Sequence, residues 1–331
     1  MNRIVEDMSK NNKYLITGFS GFVSKHFLDY LNKYEPGAAV FGIDICRPSF
    51  NLADYRSLSI QFAKIDLLDK EALAKCFAAF QPNYIVHLAA ASSVAYSWQE
   101  PAISFRNNTN VFLSLLEAIR KSGGDVKVLS VGSSEVYGNV PKKMLPIKEI
   151  TPLNPLSPYA VARVAQEMIS RVYVDNFHLK IVMTRSFNHI GPGQKDIFVI
   201  SSFAKQMVEA KKKGLNKGQI VTGDVSIIRD FLDVRDVVRA YSSILKRGES
   251  GEVYNVCGGQ GVVLRDVIEK IADIVGIKVT IKVNKELIRP SDNKIIIGSS
   301  NKIKHDLGWK PEISLERSLQ DITRYWDENS N

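Results

Sequence analysis

A strand, a glycine turn and a helix in immediate succession near the start of the chain constrain its fold more than any other feature. Lys13-Tyr-Leu-Ile-Thr17 is a short apolar strand, Gly18-Phe-Ser-Gly21-Phe-Val-Ser24 a glycine-rich turn, and 25–32 a helical stretch. Glycine permits a sharp turn and close backbone approach to a ligand. The helix that follows presents free N–H groups and a partial positive charge to an anion. The pattern then recurs: strands at 39–44, 62–66 and 84–88, with helical stretches such as 70–80 between them. A helix near 103–121, a strand at 127–131, a helix at 159–176 and a strand at 180–185 continue it. Such alternation predicts an α/β fold built on a doubly wound parallel sheet.

Beyond Asn188 the alternation becomes irregular, with Gly191-Pro-Gly193, a lysine-rich helix near 198–213 and a loop through Gly218. A smaller α/β lobe is expected from 188–228 and 258–326, beside a large domain over 13–187. Returns to that domain are expected near 229–257: the Phe231-Leu-Asp-Val segment, a helix at 233–246 and a strand at 253–256. Residues 1–12 are expected to form a flexible leader. A chain of 331 residues with 45% hydrophobic content supports cores of this size.

The net charge of +9 is spread along the chain, and only Lys211-Lys212-Lys213 forms a run. Nucleic-acid binding is therefore not expected, and an anionic small substrate accounts for the excess as well. Cys46, Cys76 and Cys257 lie far apart without metal or disulfide spacing, which suits a reducing cytoplasm. The five histidines are equally dispersed, so no metal site is expected. No apolar stretch of about 18 residues occurs, so no membrane span is expected.

Gly18, Ser20, Gly21 and Phe22 stand where a dinucleotide pyrophosphate would meet a helix N-terminus, with Ser24 at the position of a third glycine. Asp44 ends the second strand about twenty residues later, where a carboxylate accepts ribose hydroxyls and repels a 2′-phosphate. NAD(H) is expected over NADP(H), although nearby Arg47 would attract a 2′-phosphate. Tyr159 and Arg163, four apart, share one helical face. A cation beside a phenol favours the phenolate, which equips Tyr159 to take or return a proton.

The spacing of Tyr159 and Arg163 resembles the Tyr-x-x-x-Lys pair of short-chain dehydrogenase/reductases, with arginine in place of lysine. Further motifs extend the resemblance over nearly the whole chain: His87-Leu-Ala-Ala-Ala-Ser-Ser-Val94, Gly132-Ser-Ser-Glu135, Ser157-Pro-Tyr-Ala160 and Thr184-Arg-Ser-Phe-Asn-His-Ile-Gly-Pro-Gly-Gln194. Arg229-Asp-Phe231, Tyr254-Asn-Val-Cys257, Arg289-Pro-Ser291 and Leu307-Gly-Trp-Lys-Pro311 add to it. The chain resembles the extended, NAD-dependent epimerase/dehydratase branch, nearest to nucleotide-sugar enzymes of the GDP-6-deoxy-4-keto-mannose reductase kind.

The resemblance implies a Rossmann-type sheet with a nucleotide-sugar lobe and an NAD(H)-dependent oxidoreductase acting at C4 of a GDP-linked hexose or heptose. It implies that Ser133 bonds the substrate oxygen, Tyr159 moves its proton, and Arg163 lowers the tyrosine pKa while holding nicotinamide-ribose hydroxyls. Asp66 and Leu67 would lie at the adenine edge, and Leu88, Ala89 and Ala90 along the cofactor. Asn188, Arg229 and Arg289 would meet the sugar diphosphate, with Val199 and Lys205 near the base. Ser92, Ser93, Ser134 and His189 are candidates for the sugar pocket. Glu135 supports an alternative, a GDP-mannose-type 4,6-dehydratase in which it removes the C5 proton. Ser24 and Arg163 motivate another, a non-catalytic nucleotide sensor. The helices near 103–121 and 159–176 resemble those that pair subunits into a homodimer through a four-helix bundle.

Overall fold

The computed structural model describes residues 12–287 and 293–330. Its strands are β1 (Lys13–Thr17), β2 (Ala39–Asp44), β3 (Ser59–Lys64), β4 (Tyr84–His87), β5 (Lys127–Ser133), β6 (Lys180–Ser186), β7 (Asn188–Ile190), β8 (Lys217–Thr222), β9 (Ile228–Asp233), β10 (Val253–Val256), β11 (Gly261–Val263), β12 (Lys278–Val283) and β13 (Ile295–Ile296). Its helices are α1 (Phe22–Tyr34), α2 (Lys70–Phe80), α3 (Val94–Gln99), α4 (Pro101–Phe105), α5 (Val111–Ser122), α6 (Pro158–Phe177), α7 (Val199–Lys212), α8 (Val234–Arg247), α9 (Leu264–Val275), α10 (Asn301–Leu307) and α11 (Leu315–Asn329).

Seven parallel strands form the large sheet in the order β3-β2-β1-β4-β5-β6-β10. Side chains alternate between its faces. Tyr14, Ile16, Val40, Val86, Leu129 and Val182 pack under α1 and α8, while Leu15, Ile43, Ile85, Val128 and Ile181 pack under α2, α5 and α6. Both faces are covered, as parallel sheets require. Strand order reverses between β1 and β4, so the turns after these two strands diverge and leave a crevice at the carboxyl edge.

The second layer is smaller. β9 pairs with β7 and β13 in parallel and with β11 antiparallel, while β8 pairs with β12. Helices α7, α9 and α11 enclose its core of Phe203, Met207, Ile268, Ile271 and Leu319. The Phe231-Leu-Asp-Val segment, expected to return to the large domain, pairs with β7 in this layer, while its Leu232 packs into the core beneath α1 and α8. α8, β10 and also α10, through Ile303 and Leu307, pack on the large domain. An apolar run shows that a strand is buried but not which sheet accepts it, and β7, following β6 after Phe187 alone, offers β9 the nearest edge.

The helix expected near 103–121 is interrupted. A π turn, Arg106–Asn110, separates α4 from α5, and the Asn108 amide donates to the Ser104 carbonyl at 2.7 Å. Side-chain bonding of this kind competes with the regular ladder, and such turns often mark functional sites. Among the described residues no helix is long and apolar enough to cross a membrane.

Candidate active site

The turn between β1 and α1 needs glycine at its first position. Gly18 has φ +68°, and a Cβ there would lie 2.6 Å from the Ala89 nitrogen and 2.7 Å from the Leu88 carbonyl carbon. The turn therefore sits directly on the segment leaving β4. Gly21 donates to the Gly18 carbonyl at 3.0 Å and begins α1 with no side-chain cap, so the first N–H groups of the helix stay available to an anion. Ser24 is fully buried, and its Oγ has no hydrogen-bond partner.

Asp44 is held at the end of β2 by two backbone donors. Ser20 N–H reaches Oδ2 at 2.9 Å and Cys46 N–H reaches Oδ1 at 3.1 Å, while the Ser20 hydroxyl donates to the Cys46 carbonyl at 2.6 Å. The carboxylate is thus fixed beside the glycine turn, with Cys46 and Arg47 exposed next to it. Thr17 ties β1 to the β4 turn: its Oγ1 accepts from Ala89 N–H at 3.3 Å and lies 2.9 Å from His87 Nδ1. Burial, reinforced by the Arg163 charge, depresses the His87 pKa to about 3 and keeps that ring neutral. Leu88, Ala89 and Ala90 are half-buried along the turn. Asp66 is exposed and its Oδ1 accepts from Leu68 N–H at 2.9 Å, whereas Leu67 packs into the core. Phe22 stacks on His189 with ring centroids 6.3 Å apart, and His26 Nε2 lies 2.9 Å from the Pro192 carbonyl, so the second layer abuts the turn.

β5 ends at Ser133, which is buried and whose Oγ accepts from Glu135 N–H at 3.3 Å at the start of a short turn through Tyr137. Gly132 is required there, since a Cβ would lie 2.3 Å from the Thr184 carbonyl oxygen. α6 packs on β5 and on that turn. It opens with Pro158 after Ser157, whose Oγ accepts from Ala160 N–H at 3.1 Å, an N-cap that places Tyr159 in the first turn. Tyr159 is 6% exposed.

The Arg163 guanidinium lies 5.1 Å from the Tyr159 ring centroid, a cation–π contact. Its Nη1 donates to Val131 O at 3.1 Å and to Gln166 Oε1 at 2.6 Å, and its Nε is buried without a partner. Among the described residues no carboxylate forms a salt bridge with Arg163, although the residue is only 5% exposed. A buried cation without a counter-ion is costly, and such groups cluster at functional sites.

Gln166, Asn108 and Thr109 were not singled out from the sequence. Gln166 Nε2 donates to Ser130 Oγ at 2.9 Å, Thr109 Oγ1 to the Ala162 carbonyl at 3.3 Å, and Asn108 Nδ2 to the Ala91 carbonyl at 3.2 Å. The polar run Arg106-Asn-Asn-Thr-Asn110 inside an amphipathic helix was the available signal.

Around this centre, Ser93 Oγ caps α3 by accepting from Tyr96 N–H at 3.2 Å, and Ser92 is exposed. Ser134 is buried and Glu135 half-buried. Asn188 opens β7, and burial lowers the His189 pKa. Val199 begins α7, where Lys205 is engaged by Asp196 at 2.6 Å and by the Trp326 ring at 5.1 Å. Arg229 is buried on β9 and its Nη1 donates to Ile228 O at 3.0 Å. Arg289 lies outside the described residues.

A family model described as GDP-mannose 4,6 dehydratase matches residues 15–322. GDP-6-deoxy-D-mannose reductase of Pseudomonas aeruginosa is 34% identical over 315 residues, 95% of this chain and 97% of that protein. UDP-glucuronate 4-epimerase of Thermodesulfobacterium geofontis is 29% identical over 327 residues, 96% of each. The structure of RMD from Pseudomonas aeruginosa complexed with NADPH superposes with a TM-score of 0.83 at 34% identity, covering 96% of this chain and 99% of the other. UDP-glucose 4-epimerase of Thermotoga maritima with UDP-glucose gives 0.84 at 29% identity, covering 96% and 100%.

Proposed function

The chain belongs to the GDP-mannose 4,6-dehydratase family of extended short-chain dehydrogenase/reductases, and from that premise we propose that it is an NAD(H)-dependent oxidoreductase at C4 of a GDP-linked hexose or heptose, interconverting 4-hydroxyl and 4-keto forms. The observation that carries this reading is a buried guanidinium, without a carboxylate partner among the described residues, stacked on Tyr159 beside the end of the strand that bears Ser133.

The open N-terminus of α1, the Gly18 contact with the β4 turn and the anchored Asp44 carboxylate fit a nicotinamide dinucleotide. Gly18, Ser20, Gly21 and Phe22 would cradle its pyrophosphate, Asp44 its adenine ribose, and Leu88 to Ala90 its length, with Asp66 and Leu67 at the adenine end. When bound, the cofactor exchanges a hydride with the sugar carbon. The rest of the chemistry belongs to the chain. Tyr159 takes the C4 hydroxyl proton on oxidation and returns it on reduction, and Ser133 donates a hydrogen bond to the same oxygen. Arg163 holds positive charge against the tyrosine and retains donors for ribose hydroxyls. Being permanently protonated, it relays no proton. Asp44 repels a 2′-phosphate and so favours NAD(H), although the RMD structure is a complex with NADPH.

We assign the second layer, built on β7 and β9 with α7, α9 and α11, to a nucleotide-sugar lobe, with Asn188, Arg229 and Arg289 toward the diphosphate, Val199 and Lys205 toward the base, and Ser93, Ser134 and Glu135 toward the sugar. Such a product serves polysaccharide biosynthesis in the cytoplasm, where Cys46, Cys76 and Cys257 stay free thiols. Val161, Met168 and Val172 on α6 and Leu113 on α5 expose apolar surface, up to 50% at Val172, which supports a homodimer through a four-helix bundle.

Glu135, half-buried and two residues after Ser133 in the same short turn, favours the 4,6-dehydratase as the second reading. Incubation of the protein with GDP-mannose-type sugars and NAD(H), followed by product mass and absorbance at the reduced-nicotinamide band, separates the two. Loss or gain of two hydrogens supports the oxidoreductase. Loss of water supports the dehydratase, and no product from any sugar leaves a nucleotide sensor.

A further inference from the structure

A buried polar chain crosses from the small layer to α6. At its start, the fully buried Asp230 carboxylate on β9 accepts three backbone N–H groups: Gly258 on Oδ1 at 2.7 Å, and Gly259 and Gly298 on Oδ2 at 2.9 and 3.1 Å. A Cβ at Gly258 would lie 2.9 Å from Asp230 Oδ1, and one at Gly298 would lie 2.6 Å from the Phe187 ring, so the approach depends on glycine. Ser299, the residue after Gly298, donates its N–H to the Ile147 carbonyl at 2.8 Å. That carbonyl also accepts from Asn255 Nδ2 at 3.0 Å. Asn255 Oδ1 accepts from the Tyr137 hydroxyl at 2.7 Å, and the same hydroxyl accepts from Arg185 Nη1 at 2.8 Å. The chain ends in a two-point bond between Arg185 and Glu167 on α6, at 2.8 and 2.7 Å.

Both ends touch the chemistry. Tyr159, Arg163 and Glu167 follow one another at spacings of four, so Glu167 anchors the same stripe of α6 that carries the other two. Tyr137 closes the turn that opens at Ser133. Asp230 is the neighbour of Arg229 on β9. Burial acts to raise the Glu167 carboxyl, but the Arg185 and Arg171 guanidinium groups outweigh it and hold the group below the usual range. A buried ion pair is weak support for stability alone. A fully satisfied network, by contrast, selects one arrangement of the groups that it joins.

Resting on the C4 oxidoreductase reading, we propose that Tyr137, Asn255 and Arg185 are positioning residues, which hold Ser133 and Tyr159 in register with each other and with β9. Diphosphate captured at β9 then aligns the sugar carbon with the hydroxyl pair. Displacement of reacting groups by an ångström costs about a hundredfold in rate.

Tyr137→Phe removes only the shared oxygen. Its kcat should fall about 10- to 100-fold, with KM for the GDP-sugar and Kd for the cofactor within about threefold of wild type. Arg185→Lys keeps the charge against Glu167 and should lose kcat in the same way. The double variant should lose little more than the worse single one, because both break one link. Independently of turnover, GDP should slow amide hydrogen exchange over 134–137 in wild type but not in Tyr137→Phe. Unchanged kcat in Tyr137→Phe, a parallel loss of kcat and cofactor affinity, or no GDP effect on those amides overturns the inference. Wild-type protein that neither turns over GDP-sugars nor binds GDP removes the underlying reading instead.

Discussion

Replacing Gly18 and Gly21 separately by alanine should divide the stability of the cofactor turn from its ligand chemistry. At Gly18 the φ of +68° makes an alanine pay about 1–2 kcal/mol of left-handed strain. The new Cβ would also lie 2.6 and 2.7 Å from backbone atoms of Ala89 and Leu88, overpacking that costs about 1–3 kcal/mol. The sum is about 2–5 kcal/mol. With 331 residues and about 2.1 cal/mol/K of unfolding entropy each, that is about 0.7 kcal/mol/K, so Tm should fall by about 3–7 °C. Gly21 differs: its φ is −81°, and the one contact of an added Cβ is the Gly18 carbonyl at 3.0 Å. Gly21→Ala should stay within about 2 °C of wild type yet bind cofactor about tenfold or more weakly, because the methyl projects where the pyrophosphate meets the open helix end. Scanning calorimetry and fluorescence titration with NADH measure the two quantities. A Gly18→Ala protein with unaltered Tm, or a Gly21→Ala protein with full affinity, refutes the geometry described for this turn.

Other consequences are as direct. Tyr159→Phe should lower kcat by about a hundredfold or more while leaving NADH affinity within about twofold; undiminished turnover in stopped-flow traces rejects its role. Cys46 is the exposed thiol, whereas Cys76 and Cys257 are buried, so mass spectrometry should find iodoacetamide on Cys46 alone. NAD should slow that labelling if Asp44 holds the ribose, and an unchanged rate would detach the two. Burial pushes the Asp230 pKa up to about 6 despite three N–H donors. With the folded value above the unfolded one, about 3.9, its stabilising contribution is complete below pH 4 and is lost as pH rises through 6. Asp230→Asn should therefore become less destabilised relative to wild type between pH 4 and 7, by about 2 kcal/mol; a constant Tm difference across that range contradicts the assignment.

Much of this architecture could be read from local chemistry. The strands at 13–17, 39–44 and 253–256 and the helix at 70–80 coincide with the expected spans, since each combines a regular apolar pattern with a clear stop. Asp69, for example, caps α2 by accepting from Glu71 and Ala72 N–H. The shared face of Tyr159 and Arg163 likewise follows from helix geometry. What local pattern does not contain is the partner supplied by a distant segment. β9 reads as a buried strand, yet its sheet was decided by the position of β7. Arg163 reads as a cation beside a phenol, yet its hydrogen bonds go to Val131 and Gln166. Tyr137 meets Asn255 across 118 positions, a contact that no periodicity encodes. Lys205 is expected near the base, and the Asp196 carboxylate and Trp326 ring that engage it are partners its own helix does not announce.

Phe187 alone separates β6 from β7, is buried, and donates its N–H to the Val256 carbonyl at 2.9 Å. So short and anchored a crossing leaves no slack for the two layers to swing apart like jaws. Entry and exit of large ligands then fall to the rim segments, and liganded and empty forms should share one rigid frame.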